Sequence, residues 1–337
     1  MSPDSHLHPI TLHQKIYRFA HNVCGAFAGS VSVIKQLIPD LYLFCRCHEE
    51  VSSAKLSPYL KERCQGIASS DLSFVIWILE KGKDGIVSAT LPIGSWYGDH
   101  SPIIGEMNAA GSGAGDFLKA ISANGSIKIP QGSFSNYQTV TAGYILFIAQ
   151  MMAQEMATLS TIKKFWGAGF ELVYPHNGSF QKLDNITYVI NHGQFNSKGN
   201  LEGPVPLMIM HYKYHGEDLV ITAIAIHHGY VERTGDTLIL RNKDNHYSVQ
   251  QFIVEPIYRD SPQTVVGLPE KSFFSDVVAM SYIFEDDKKK EHYMPAGLHR
   301  GSDVRVEYKH EEGISLTIKT AAQEILLAEV KKEYSHF

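Results

Sequence analysis

Segments with helical spacing occur in pairs in the first 190 residues, and each pair lies between groups of strand segments joined by short turns. A doubly wound parallel sheet would instead alternate single strands with single helices. The order therefore predicts an α+β fold with sheets packed between pairs of helices. The predicted elements are strands 15–19 and 22–28, helices 30–43 and 56–67, strands 72–79, 86–92 and 103–110, helices 116–123 and 138–163, and strands 170–174 and 186–190.

Three of these segments carry the clearest signals. Residues 72–79 are almost uniformly apolar, as expected for a strand buried on both faces. Residues 80–85 have the composition of a hairpin turn. The longest helical pattern runs from Gln138 to Lys163, and Ser30 is placed to act as the N-cap of the first helix.

The second part of the chain has a different character. Residues 196–206 are rich in Gly, Pro and Asn, which predicts a linker and a division into domains 1–195 and 200–337. The second domain is predicted to be mainly β, with a closing helix at 321–333. Its predicted strands are 207–214, 219–227, 237–241, 250–255, 276–284, 304–308 and 314–318.

Composition excludes several classes of protein. Thirty basic and 35 acidic residues are mixed along the chain and give a net charge of −5, so we expect no nucleic-acid partner. The apolar stretches are shorter than a membrane span, so no membrane partner is expected either. Four cysteines in 337 residues do not form a disulfide framework, which predicts a reducing, cytoplasmic setting. No cofactor and no metal is expected.

Several short motifs follow one another in a characteristic order. Lys15-Ile-Tyr-Arg-Phe precedes an Ala-Gly pair that ends at Gly29, fourteen positions after the lysine, and a Gly-Ser-Gly turn follows at 111–113. Over residues 12–190 this order resembles the proteasome β-subunit family of N-terminal nucleophile (Ntn) hydrolases. The resemblance implies a four-layer αββα sandwich, here truncated at its N-terminus and followed by the mainly β domain.

The resemblance also implies catalytic roles for three residues. Lys15 matches the lysine whose charge lowers the proton affinity of the nucleophile and its amine. Gly29 matches the glycine whose backbone N–H donates to the oxyanion. Ser112 matches a serine that supports the terminal amine. A peptide or amide substrate and assembly into a homo-oligomeric ring are further implications.

The nucleophile itself has no counterpart in the chain. The family uses Thr, Ser or Cys at the mature N-terminus of a first strand, but only residues 1–14 precede Lys15, and they include two prolines. Ser2 is followed by Pro3 and is not expected to act as the nucleophile. Two expectations remain open: the true start lies upstream of Met1, or the protein is a non-catalytic, ring-forming relative.

An alternative is a papain-like cysteine hydrolase. Cys24 precedes a helix, and the strand ending at Asn242 resembles the Asn-bearing strand of that family. His227 or His228 would be the base, with Asn242 or Asp244 orienting it. Against this alternative, the pattern places Cys24 within a strand, where a buried cysteine acts as a small hydrophobe.

Histidines suggest a metal site as a further alternative. His211, His215, His227 and His228 fall on neighbouring predicted strands, but no carboxylate accompanies them at a spacing typical of metal ligands. Most of them are therefore expected to be surface or hairpin residues. A purely structural role, as a ring subunit without a nucleophile, is the remaining alternative.

Overall fold

The computed structural model is a mixed α+β fold rich in strands, as predicted. It describes residues 12–69, 71–82, 85–101, 105–110, 113–123, 136–158, 170–195, 201–227, 229–242, 247–259, 272–275, 277–285, 291–300, 303–309 and 313–322, with 324 and 328. The described elements fall into two parts, an N-terminal part with helices and strands and a larger C-terminal part made mainly of strands. The first described element is β1 (Leu12–His13).

A four-stranded antiparallel sheet organises the N-terminal part. Its strands follow the order β2-β3-β4-β5, and the hairpin predicted at the turn 80–85 is present as the β4–β5 pair. The central strand β4 is buried on both faces for most of its length, which confirms the interpretation of its apolar run. The strands are β2 (Ile16–Ala20), β3 (Val23–Gly29), β4 (Leu72–Gly82) and β5 (Gly85–Ile93).

Two helices, α1 (Val31–Cys47) and α2 (Ser53–Arg63), pack against one face of this sheet. Leu37, Ile38 and Leu41 are buried in that layer, as their spacing predicts. Leu43 was expected on the same stripe but is 62% exposed. Ser30 occupies the N-cap position, but its hydroxyl contacts the hydroxyl of Ser32 instead of capping the helix.

The middle of the chain contains two hairpins and two helices. The strand predicted at 103–110 is instead the second half of a hairpin, because β6 and β7 pair antiparallel. The turn between β8 and β9 is Asn177-Gly178, with φ of 49° and 75°, the left-handed geometry that favours these residues in two-residue hairpins. The elements are β6 (Tyr97–Ser101), β7 (Gly105–Ala109), α3 (Ala114–Ala123), α4 (Asn136–Thr158), β8 (Val173–His176) and β9 (Ser179–Lys182).

The C-terminal part consists of strands in two sheets. A seven-stranded sheet has the order β1-β15-β12-β11-β10-β17-β18, and a five-stranded sheet has the order β13-β14-β20-β19-β16. The strands are β10 (Ile186–Phe195), β11 (Leu201–His215), β12 (Asp218–Ile226), β13 (Gly229–Thr234), β14 (Thr237–Asn242), β15 (Tyr247–Glu255), β16 (Ser272–Ser275), β17 (Val277–Glu285), β18 (Glu291–Arg300), β19 (Val304–Lys309) and β20 (Gly313–Lys319).

The seven-stranded sheet is covered on both faces. Helix α4 packs on one face, where its Ile145, Ile148 and Met152 meet apolar side chains of β10 and β17. The five-stranded sheet packs on the opposite face and forms a second apolar core with it. Because both faces of this sheet are removed from water, we expect burial of its apolar side chains to be the main contribution to its stability.

The predicted boundary between residues 195 and 200 falls between β10 and β11. These strands are antiparallel neighbours, so the seven-stranded sheet draws on both predicted domains. Residues 201–206 belong to β11 and not to a linker. The prolines of this segment coincide with register shifts against β10 and lie beyond the stretch that pairs with β12, where missing N–H donors are tolerated. Most of the closing helix predicted at 321–333 lies outside the described residues.

Candidate functional site

A polar cleft of about 300 Å³ opens where the two parts of the chain meet. The segment between β1 and β2 crosses here, because β1 pairs with β15 in the seven-stranded sheet while β2 belongs to the four-stranded sheet. Strand β9, the β11–β12 turn and the segment after β15 complete the walls. The lining residues are Gln14, Tyr17, Arg18, Tyr42, Gln181, Lys182, Asp184, Tyr214, Gly216, Glu217, Pro256 and Tyr258.

Lys182, the last residue of β9, is the most constrained cation of the cleft. Its Nζ donates to Oε1 of Gln14 at 2.8 Å and to Oε1 of Glu171 at 3.4 Å, and it lies 4.5 Å from the centre of the Tyr214 ring. Burial lowers the pKa of Lys182, and the nearby Glu171 carboxylate opposes this shift. The ammonium is therefore held in place by an amide, a carboxylate and an aromatic face.

Glu171 lies next to Lys182 and joins several strands. Its Oε2 accepts the backbone N–H of Lys15 at 2.9 Å, and its Oε1 accepts the hydroxyl of Tyr214 at 2.8 Å. The carboxylate is only 10% exposed. A buried carboxylate with three donors is strongly positioned, so Glu171 fixes the relative positions of β9, β11 and the start of β2.

Besides Tyr214, three further tyrosines line the cleft, Tyr17, Tyr42 and Tyr258. The Tyr42 and Tyr258 rings meet edge to face with centroids 5.8 Å apart, and the Tyr258 hydroxyl donates to Oε2 of Glu217 at 2.7 Å. Burial raises the pKa of Tyr42 to about 12 and raises the pKa values of Tyr17 and Tyr258 further. All three hydroxyls are therefore protonated at neutral pH and act as hydrogen-bonding groups.

Two of the three residues implied by the family resemblance lie close in the fold, because Lys15 immediately precedes β2 and Gly29 ends the neighbouring strand β3. Lys15 is exposed, and its carbonyl oxygen accepts the N–H of Phe27 on β3 at 2.9 Å. Gly29, two residues further along β3, has a φ of +126°, and a Cβ there would lie 2.3 Å from the carbonyl oxygen of Asp71. This close approach requires glycine whatever its chemical role. Ser112 lies outside the described residues.

Cys24, the proposed nucleophile of the alternative, is the second residue of β3. It is 1% exposed and packs against Leu79 and Phe180. Burial raises the pKa of its thiol to about 12, whereas a catalytic cysteine needs a lowered pKa. Asn242 ends β14 in the five-stranded sheet, while His228 and Asp244 lie outside the described residues. The geometry around Cys24 gives the cysteine alternative no support.

The histidines singled out in the sequence have different environments. His227 is exposed after β12, and His215 ends β11. His211 is buried between the two C-terminal sheets, stacked on Phe273 at 4.1 Å, and its Nδ1 lies 3.1 Å from the hydroxyl of Thr187. Burial lowers the pKa of His211 to about 3. Across the described ranges no three His, Cys, Asp or Glu side chains are grouped as metal ligands.

Sequence analysis missed the residues that organise the cleft. Gln14 and Lys182 are 168 positions apart, and Lys15 and Glu171 are 156 apart, so no local motif joins them.

Of the helices that the structure describes, none has the length and apolar character needed to cross a membrane. No family model matches the chain, and no curated protein matches it at a significant level.

Proposed function

We propose that residues 12–190 are a relative of the proteasome β-subunit domain of the Ntn hydrolases, and that its chemistry is hydrolysis of a peptide or amide. The order of elements carries the proposal. The chain runs through the β2–β3 hairpin, the α1–α2 pair, two further hairpins, the α3–α4 pair and the β8–β9 hairpin. Paired helices between groups of hairpins agree with the α+β order predicted for this segment, in which the motifs of the resemblance occur.

The positions of Lys15 and Gly29 support the same proposal. Lys15 lies opposite Phe27, so Gly29 is displaced by two residues along the adjacent strand, about 7 Å at the usual rise per residue. In the proposed reaction an N-terminal Thr, Ser or Cys gives its proton to the terminal amine and attacks the amide carbonyl. The C–N bond then breaks, the amine leaves with that proton, and water hydrolyses the acyl intermediate to release the acid. The Lys15 ammonium lowers the proton affinity of the nucleophile, and the Gly29 N–H donates to the oxyanion.

The nucleophile is tested on the native protein with two measurements. Intact mass and N-terminal sequencing identify the mature end, and a β-lactone or vinyl-sulfone probe reports a reactive terminal Thr, Ser or Cys. We expect labelling together with hydrolysis of fluorogenic peptides. Labelling that disappears in Cys24→Ala would instead favour the cysteine alternative.

Lys15→Met tests the proposed role of the lysine charge, since it removes the ammonium but keeps the backbone N–H that donates to Glu171. Lys61→Met, an equally exposed change on α2, is the control. Loss of about a hundredfold or more in hydrolysis for Lys15→Met alone supports the proposal, the range of a removed electrostatic group. Equal rates in both variants contradict it.

We also propose that copies of the chain assemble into a homo-oligomer through the α1–α2 layer. Val31 at the start of α1 and Leu43 near its end are large apolar side chains that are 46% and 62% exposed in one copy. Size-exclusion chromatography with light scattering is expected to show an oligomer that Leu43→Glu dissociates. An assembled protein without probe labelling would indicate the non-catalytic, ring-forming relative. A wild-type monomer contradicts assembly.

A further inference from the structure

The cleft described above presents two cations to one small space. Lys182 donates to two oxygen acceptors, those of Gln14 and Glu171, and an ammonium has three N–H groups. Arg18 donates from Nη1 to the carbonyl oxygen of Phe180 at 3.2 Å and, among the residues that the structure describes, makes no ion pair with a carboxylate. Most of its five N–H donors therefore remain for a ligand.

The cleft also contains carboxylates, and their partners differ. Asp184 Oδ1 already accepts the backbone N–H groups of Asn185 and Tyr214. Glu217 accepts the Tyr258 hydroxyl with one oxygen, Oε2, which leaves Oε1 for a ligand donor. The cleft thus offers donors for an anionic group and an acceptor for a cationic group within the same volume.

Its size and walls restrict the ligand further. A space of about 300 Å³ is at the small end of ligand sites. The aromatic rings of Tyr42 and Tyr258 line the cleft, and their protonated hydroxyls add neutral polar contacts. The planar guanidinium of Arg18 matches a carboxylate in two parallel bonds, whereas the acidic groups disfavour a doubly charged phosphate.

We propose that this cleft binds a small zwitterion, an α-amino acid or a dipeptide, with its carboxylate on Arg18 and Lys182 and its ammonium on Glu217. The apolar side chain of the ligand packs against Tyr42 and Tyr258. The proposal does not depend on amide hydrolysis.

Isothermal titration calorimetry on the full chain tests the proposal with matched probes. L-phenylalanine and glycyl-L-phenylalanine carry both charges, 3-phenylpropionate lacks the ammonium, and phenethylamine lacks the carboxylate. We expect at least one zwitterion to bind about tenfold or more tightly than either singly charged analogue, as loss of a charge-assisted bond predicts. Equal binding of all four probes, or binding of none at millimolar concentration, overturns the proposal.

Two variants locate the site. Arg18→Gln is expected to weaken binding of the zwitterion about tenfold or more, and Glu217→Gln to reduce its preference over 3-phenylpropionate. Arg63→Gln removes an arginine on α2, half-exposed and paired with Asp40, and serves as the control. Thermal unfolding curves check that each variant folds. Wild-type affinity in a folded Arg18→Gln protein overturns the assignment.

Discussion

Acid is expected to weaken the C-terminal core through a single histidine. His211 is 2% exposed and lies between the two C-terminal sheets, where it contacts Phe273 and the hydroxyl of Thr187. Burial is the largest cause of its lowered pKa, and the positive charges of Lys213 and His215 act in the same direction. Protonating this ring in the folded state therefore places a charge in an apolar layer.

The sign and size of the change in the free energy of unfolding follow from the pKa of His211 in the unfolded chain and its pKa in the folded protein. The unfolded chain takes up the proton near pH 6.5, while the folded protein does so only near pH 3. Stability from neutral His211 is complete above pH 6.5 and is lost as pH falls toward 3. The free energy of unfolding should decrease by about 2 kcal/mol at pH 5 and by about 3 kcal/mol at pH 4 from this residue alone.

Urea unfolding of the wild type and of His211→Gln between pH 7 and pH 4 measures this effect. Glutamine does not titrate and keeps an acceptor for the Thr187 hydroxyl. The variant is expected to be less stable at pH 7 but to lose less stability on acidification. The exposed His227→Gln change serves as the control. If the wild type and His211→Gln lose stability in parallel, the buried-histidine explanation is refuted.

Three further changes test the packing around the candidate sites. Gly29→Ala should lower the free energy of unfolding by about 2–4 kcal/mol, because its Cβ would meet a backbone oxygen at 2.3 Å. The control Gly66→Ala has φ +83° but open space around the Cβ, so it should lower the free energy of unfolding by only about 1 kcal/mol. Similar losses in the two variants would contradict the steric argument. In thiol titration with an aromatic disulfide, exposed Cys47 should react rapidly and Cys24 only on unfolding, and fast reaction of both would disprove burial of Cys24. Glu171→Gln should destabilise the protein by about 1–3 kcal/mol in urea at pH 7, since its lysine and tyrosine partners lose a charged acceptor, and unchanged stability would show that the network contributes little.

The local sequence pattern was sufficient to predict the main N-terminal elements. The apolar run at 72–79 and the spacing of Leu37, Ile38 and Leu41 are read within one segment, and both interpretations are confirmed. The turn at Asn177-Gly178 is equally local, because positive φ at two successive positions favours these residues, although its return strand is β9 and not the predicted strand 186–190. In each case the physical cause of the structure lies within a few residues of the chain.

The local sequence pattern was insufficient to predict the structure after residue 195, where the composition changes. Gly and Pro normally interrupt regular structure, yet residues 201–206 extend β11 because their partner β10 shifts register to accommodate them. Only the pairing between strands shows this. The parallel pairing of β10 with β17, more than 80 positions later, likewise leaves no signal in either segment.

Glu171 shows why neither the resemblance to a family nor the motif search could find the cleft. One carboxylate accepts the backbone N–H of Lys15, the hydroxyl of Tyr214 and the ammonium of Lys182, three groups from distant parts of the chain. The same contacts connect the proposed catalytic lysine with the proposed zwitterion site through a single buried group. Loss of Glu171 is therefore expected to affect both sites, whereas Lys15→Met and Arg18→Gln each change only one. Because those two side chains can be altered separately, hydrolysis and ligand binding can be confirmed or refuted independently.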